Sequence, residues 1–267
     1  MSAAALRGPD RPIAVFDSGI GGLTVVHALR QRLPGEAIVY LGDTARVPYG
    51  TKSHATIERY TLQAGAILRR VDPKLMVVAC NTASAHGLDA LQRESSFPVV
   101  GVIEPGAEAA ASHPEVGVLG TLATIQSGAY ETAIRRRNPA TIVHSAACPL
   151  LVGLAEEGWT DDPITEAVCR RYLNTLPPAV HTVVLGCTHY PLLMPALQRA
   201  RSGTLWIDSG EVTARAVEAM LRGGLGFRTD RARSIMRLLL TDAGSRLKEV
   251  GSRFLGEELG DVELVDL

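Results

Sequence analysis

The sequence predicts an α/β protein made of two similar units with mostly parallel sheets, and three observations lead there. Short apolar, β-branched runs alternate with segments of helical periodicity along the chain. The alternation restarts after about a hundred residues. Two of the runs also end alike, Val77-Val78-Ala79-Cys80-Asn81-Thr82-Ala83-Ser84 being echoed by Val183-Val184-Leu185-Gly186-Cys187-Thr188-His189-Tyr190. Each places one cysteine where a buried strand should stop, followed by small polar residues able to open a helix. In open parallel sheets, ligands bind at the carboxyl ends of strands. Two thiols are thus offered at equivalent points of two units.

The elements follow in order. Ile13 to Phe16 is a strand, Asp17-Ser18-Gly19-Ile20-Gly21-Gly22 a tight turn, and Leu23 begins a helix that Pro34-Gly35 stops. The turn is not a dinucleotide fingerprint, because Thr24 stands in place of the last glycine and no acidic residue suits a ribose. Asp17 and Ser18 lie at the strand end, within reach of a ligand. Met1 to Pro12 reads as a frayed tail. Ala37 to Leu41 is the second strand and opens into Gly42-Asp43-Thr44-Ala45-Arg46-Val47-Pro48-Tyr49-Gly50, polar and about as long as a binding loop. Ser53 to Arg70 is an amphipathic helix with Ile57, Tyr60, Thr61, Ala64, Ile67 and Leu68 on one face. Leu75 to Ala79 delivers Cys80, and a helix over Ala85 to Arg93 leads to the strand Val99 to Val102.

Val116 to Leu119, ending at Gly120-Thr121, then Thr141 to His144 and Val183 to Leu185 repeat the first three strands at offsets of about 103, 104 and 106 positions. Helices are expected over Gln126 to Arg137, Pro149 to Glu157, Pro163 to Leu176 and Pro191 to Ala200, with a strand at Leu205 to Ile207. Asp208-Ser209-Gly210-Glu211 resembles a capping box for a helix to Leu221. Strands Ile235 to Leu240 and Val262 to Val265 flank a last helix and should pack on the first unit. The expected division is 1–102 with 208–267 for one domain and 103–207 for the other.

Bulk properties narrow the function. A hydrophobic content of 46% and a charged content of 21% are ordinary for a globular protein. A net charge of −1 without a long basic run points away from nucleic acid and anionic membranes. No apolar stretch approaches the ~20 residues that span a bilayer. The four cysteines form no C-x-x-C pair, which fits a reducing compartment, and the cytoplasm is the expected location.

Two opposed thiols suggest inversion of a stereocentre. A hydrogen α to a carboxylate is a poor acid, and inversion requires a base on one face and an acid on the other, able to exchange roles. A thiol with a reference pKa of ~8.5 suits both. A helix N-terminus is worth ~0.3–1 kcal/mol, up to ~2 when sheltered, against ~1.36 kcal/mol per pKa unit. The dipole therefore lowers a thiol by about one unit at most, so a polar helper is needed. Asp17 and His189 are the candidates. Cys148 and Cys169 read as small buried core residues. Cys187-Thr188-His189 lacks a second close ligand pair, so no metal site is expected. Lys52, Lys74 and Lys248, the only lysines, do not end apolar strands as a pyridoxal Schiff base would ask. A mechanism without cofactors follows by elimination.

Longer motifs carry a resemblance. Phe16-Asp-Ser-Gly-Ile-Gly-Gly-Leu23, Gly42 to Gly50, Ala79-Cys-Asn-Thr-Ala83 and Gly186-Cys-Thr-His-Tyr-Pro191 resemble the motifs of bacterial glutamate racemases, in the right order over nearly the whole chain. Gly120 to Ser127, Cys148 to Val152 and Ile207-Asp-Ser209 agree. The resemblance implies two pseudo-symmetric three-layer α/β domains with the active site in the cleft between them. It implies interconversion of L- and D-glutamate without a cofactor, supplying D-glutamate for peptidoglycan and hence cell shape. By analogy Cys80 and Cys187 transfer the protons, assisted by Asp17, His189 and Glu156. Substrate would be held by Asp17, Ser18, Tyr49, Gly50, Asn81, Thr82, Thr188 and His189, with Thr121 as a further candidate. An aspartate or hydantoin racemase would keep both cysteines, but serine after Cys80-Asn-Thr-Ala83 and histidine after Cys187-Thr188 favour glutamate. Some glutamate racemases restrain DNA gyrase, although no surface for that is legible here. A thiol redox protein would instead favour a Cys80–Cys187 disulfide. Helices near either unit could form a homodimer, yet no apolar stripe announces one.

Overall fold

The computed structural model describes residues 8–229 and 235–267. The first half runs β1 (Ile13–Asp17), α1 (Leu23–Arg32), β2 (Ile38–Gly42), α2 (His54–Arg69), β3 (Leu75–Val78), α3 (Asn81–His86), α4 (Leu88–Glu94), β4 (Val99–Gly101) and α5 (Ile103–Ala110). The second runs β5 (Glu115–Gly120), α6 (Leu122–Gln126), α7 (Ala129–Arg137), β6 (Ile142–Ala147), α8 (Leu150–Glu157), α9 (Pro163–Leu173), β7 (Thr182–Gly186), α10 (Met194–Ala200) and β8 (Leu205–Asp208). The chain closes with α11 (Ser209–Met220), β9 (Met236–Leu240), α12 (Leu247–Leu255) and β10 (Val262–Leu264).

A six-stranded sheet has the order β10-β9-β2-β1-β3-β4 and a four-stranded sheet the order β6-β5-β7-β8, and every pairing is parallel. The run β2-β1-β3-β4 and the second sheet therefore share one topology, as duplication requires. β3 and β7 occupy the same place in it. Beside each, between β1 and β3 and between β5 and β7, the strand order reverses, which is where such sheets form a ligand crevice. Full burial of β1, β2, β3 and β7 explains their continuous apolar runs, since both faces of these strands are covered. One apolar cluster runs from Ile13, Val15 and Leu29 through Leu119 and Leu185 to Leu197, so the sheets share a core. Among the described residues, no helix is long and apolar enough to cross a membrane.

Several local expectations are corrected. The helix after Cys80 starts at once, at Asn81, because Cys80 itself is the N-cap, and a break at Gly87 separates α3 from α4. The helix expected over Gln126 to Arg137 is two, parted by Gly128 at φ 64°, a left-handed conformation that glycine adopts at no steric cost. α9 stops at Leu173 rather than Leu176. α5 has no counterpart in the sequence reading, where Pro105 and Gly106 obscured it. Pro105 lies in its first turn, where no backbone N–H is missed, and Ile103, Ala107 and Ala110 form its buried face. Of the tail expected to fray, residues 1–7 lie outside the described residues, whereas Gly8–Asp10 forms a turn.

That turn is held from beneath. Lys74, 1% exposed, donates to the Pro9 carbonyl at 2.7 Å and to the Gly226 carbonyl at 3.2 Å. Its Nζ also lies 2.5 Å from the carboxylate of Glu36, which accepts from the Arg228 amide at 2.9 Å. A buried cation and a buried anion thus join the starts of β2 and β3 to the segment before β9. Removing one member of such a pair takes away much of the charge compensation of the other in a place water does not reach. Lys74→Met is expected to lower the unfolding free energy by about 3–5 kcal/mol, read from the midpoint of urea denaturation. An unmoved midpoint would show that Glu36 is satisfied without the cation.

Candidate active site

The carboxyl ends of both sheets face one cavity of about 370 Å³. β3 brings Cys80 to it, with Asn81 and Thr82 from the first turn of α3. β7 brings Cys187, Thr188 and His189, and the end of β5 brings Thr121. Ser18 follows β1, while Tyr49 and Gly50 come from the loop after β2. α8 adds Val152 and Glu156. Both cysteines, 107 positions apart, are 5% exposed and line the same space. Asp17 is the exception among the expected substrate contacts. It does not line the cavity but lies buried behind Ser18, with one carboxylate oxygen accepting from the Gly19 amide at 3.0 Å and the other, Oδ1, unpartnered.

The two thiols have different company. Cys80 Sγ donates to Ser18 Oγ at 3.2 Å and accepts from the Ala83 amide at 3.4 Å. Burial pushes its thiol from an ordinary 9.0 to about 12, the charge of Asp17 pushes the same way, and the bonds to Ser18 and Ala83 resist. Cys80 stands as the N-cap of α3, but the helix dipole is worth at most ~2 kcal/mol and loses to desolvation. Asp17 is itself raised, chiefly by burial, while His189 and the amides of Gly22, Gly19 and Ser18 hold it back. Cys187 Sγ instead lies 3.8 Å from His189 Nδ1, whose Nε2 meets Glu156 Oε1 at 2.9 Å. Burial works against a charged His189, yet its bonds to Cys187 and Glu156 prevail and raise it from 6.5 to about 10. Glu156 is correspondingly lowered, first by its bond to His189, although burial opposes this.

The walls bind the two halves together. Thr82 Oγ1 meets Thr121 Oγ1 at 2.9 Å and Thr124 Oγ1 at 3.1 Å, and the latter two are 2.9 Å apart. Tyr130 donates to Asn81 Oδ1 at 2.7 Å, leaving the buried Asn81 Nδ2 without a partner at the cavity wall. Thr24 Oγ1 donates to the Thr188 carbonyl at 2.9 Å, so the threonine that spoils a dinucleotide fingerprint ties α1 to the Cys187 loop. Gly21 must lack a side chain, since a Cβ there would run into Thr188 and His189. Asp43, wholly buried, accepts from Tyr49 Oη at 2.5 Å, Arg46 Nε at 2.6 Å and Thr241 Oγ1 at 3.0 Å, which fixes the Tyr49–Gly50 turn. The roles of Thr24 and Tyr130 escaped the sequence reading because their partners lie 164 and 49 positions away, whereas Asp43 meets Arg46 and Tyr49 within its own loop and only Thr241 lies far off. Thr24, out of place in a glycine fingerprint, and Asp43, inside the polar loop before Tyr49, each left some signal. Cys148 and Cys169 are buried core thiols, as expected of them.

Comparison with known proteins places this geometry. The family model for Asp/Glu/Hydantoin racemase matches residues 23–217. The glutamate racemase of Geobacter metallireducens is 50% identical over 264 residues, which cover 97% of this chain and 98% of that protein. The crystal structure of glutamate racemase from Francisella tularensis in complex with D-glutamate superposes with a TM-score of 0.92 at 37% identity, over 97% of this chain and 98% of that one. Glutamate racemase from Thermus thermophilus, in complex with β-chloro-D-alanine, gives a TM-score of 0.90 at 42% identity, over 98% and 99% of the two chains. With the family match spanning most of its length, this chain belongs to the Asp/Glu/Hydantoin racemase family.

Proposed function

We propose that this chain is a glutamate racemase that interconverts L- and D-glutamate without a cofactor, its D-glutamate supplying peptidoglycan synthesis. The observation that carries the reading is the delivery of two buried thiols to one cavity by strands equivalent in a repeated topology. The curated relative of half-identical sequence supports glutamate as the substrate, and the Francisella complex holds D-glutamate. The domains are taken as 1–102 with 208–267, and 103–207.

Cys80 and Cys187 are the proton-transfer groups. The sulfur that begins as thiolate removes the α-hydrogen, forming S–H and leaving the electron pair on the α-carbon. The other sulfur gives its proton to the opposite face and becomes the thiolate. The enantiomer then leaves, and the two sulfurs have exchanged protonation states. A second turnover in the same direction requires each to be reset, and each has a group suited to that. His189, backed by Glu156, can return a proton to or take one from Cys187. Ser18 and, behind it, Asp17 with its free oxygen serve Cys80. Asn81 Nδ2, unpartnered, is a donor for a substrate carboxylate, and Ser18, Tyr49, Gly50, Thr82, Thr121 and Thr188 complete the wall. Asp17 acts from behind the wall rather than on the substrate.

The decisive experiment is incubation of L-glutamate with the pure protein in deuterium oxide with no added cofactor. Optical rotation is expected to decay to zero with deuterium at the α-carbon, and D-aspartate should turn over far more slowly than D-glutamate. Rotation that holds steady removes the reading. Cys80→Ser and Cys187→Ser should each lower kcat by about 10²–10⁴-fold, the usual share of a positioned acid or base, with an unaltered far-ultraviolet circular dichroism spectrum.

The charge on His189 gives a second test. A histidine whose folded-state pKa is raised adds stability that is complete below its ordinary 6.5 and disappears as pH climbs through about 10. Nitrogen-15 spectra of the imidazole should show a cation throughout the neutral range, titrating near 10. In Glu156→Gln the midpoint should move down towards 6.5. A neutral ring at pH 7 in the unsubstituted protein contradicts the ion-pair arrangement.

A further inference from the structure

His189 is held from a third direction, by the helix that ends the chain. Its ring meets Phe254 of α12 edge-on, with centroids 4.9 Å apart and planes at 76°. Elsewhere the ring rests on Gly21, where there is no room for a side chain. Phe254 is 2% exposed and belongs to the shared core, so it forms a fixed backing. The adjacent Arg253 reaches the other member of the pair. Its Nη1 donates to the Glu156 carbonyl at 3.1 Å, and its guanidinium covers Gly158, the left-handed residue (φ 79°) that caps α8. At the start of α12, Arg246 adds an ion pair with Glu157 at 3.0 Å. Neither Arg253 nor Phe254 lines the substrate cavity. The partners of Cys80, Ser18 and the Ala83 amide, come from the turn after β1 and from α3.

We propose that Phe254 and Arg253 are positioning residues that hold the His189–Glu156 pair against Cys187, so that α12 bears on the proton transfer at Cys187 more than on that at Cys80. This rests on the two-thiol reading above. The bland alternative is that both residues only pack the core, in which case their loss weakens the protein and slows both transfers together. The two are separable because each enantiomer is deprotonated at a different sulfur. When transfer at Cys187 becomes the slow step, the enantiomer deprotonated there shows its carbon–hydrogen cleavage more fully. The other enantiomer then waits on proton donation from Cys187, and cleavage of its own bond is masked.

The test uses the full chain carrying Phe254→Leu or Arg253→Met, with L- and D-glutamate deuterated at the α-carbon. Because enantiomers have equal free energy, kcat/KM must fall by the same factor in both directions, here by about tenfold, inside the ~10²-fold that a 1 Å misplacement can cost. The deuterium isotope effect on kcat/KM is expected to rise for one enantiomer and fall for the other. Isotope effects that stay unchanged, or move together, overturn the proposal. Arg253→Met decides alone if Phe254→Leu does not fold, since the Arg253 side chain is 27% exposed and its loss opens no large cavity. Failure of the unsubstituted protein to take up solvent deuterium would instead remove the two-thiol reading itself, a result seen before any variant is made.

Discussion

Desolvation of the two sulfurs is the constraint on which the rest of the site depends. A thiolate in water is a poor match for a hydrogen as weakly acidic as that on an amino-acid α-carbon. A sulfur withdrawn from water is harder to ionise, but once ionised it is the stronger base. The rise of the Cys80 thiol to about 12 is therefore an expression of the same property the reaction needs. The difficulty moves to forming the thiolate, and the neighbours answer it. Ser18 Oγ accepts from the Cys80 thiol and can turn its hydroxyl to the sulfur once that proton leaves, the Ala83 amide donates to it, and an imidazolium stands beside Cys187. Without burial the helpers of Cys80 would have little to do, and without them burial would silence that sulfur.

The repeated topology brings the thiols together, and the unrepeated part of the chain makes them unequal. β2-β1-β3-β4 and β6-β5-β7-β8 are one arrangement used twice. β9 and β10 extend only the first sheet, beyond β2. α12, between them, lies against α1 and sends Phe254 and Arg253 across to His189 and α8. α11 likewise joins the halves, packing on α1 and α5 of the first and touching β7 and β8 of the second after Asp208 caps it through the Gly210 and Glu211 amides. A segment outside the duplication thus reaches the histidine beside Cys187.

Much of this was legible in sequence because strands buried on both faces announce themselves as continuous apolar runs. β1, β2, β3 and β7 were found that way, and a cysteine at the end of two of them marked the cavity. Periodicity likewise found α2, with Ser53 as its cap. What stayed hidden depends on contacts between distant residues. Nothing in Ile103-Glu-Pro-Gly-Ala-Glu-Ala-Ala110 tells of a partner surface, so α5 went unseen. Asp17 sits next to a cavity residue in sequence, yet the turn of the chain sends its carboxylate behind the wall. The sign of the Cys80 shift was also out of reach, because a helix cap can be read from a motif and the degree of burial cannot.

The inequality between the sulfurs has a limit set by thermodynamics. Two enantiomers have the same free energy, so a carboxylate near Cys80 and an imidazolium near Cys187 cannot favour one product at equilibrium. They can decide only where the proton rests before substrate arrives and which transfer is slower. Burial and Asp17 raise the Cys80 thiol, whereas a cationic His189 stands between Cys187 and Glu156, so the two sulfurs lie in unlike electrostatic surroundings. Pseudo-symmetry of the backbone serves reversibility, and asymmetry of the charges sets the starting point.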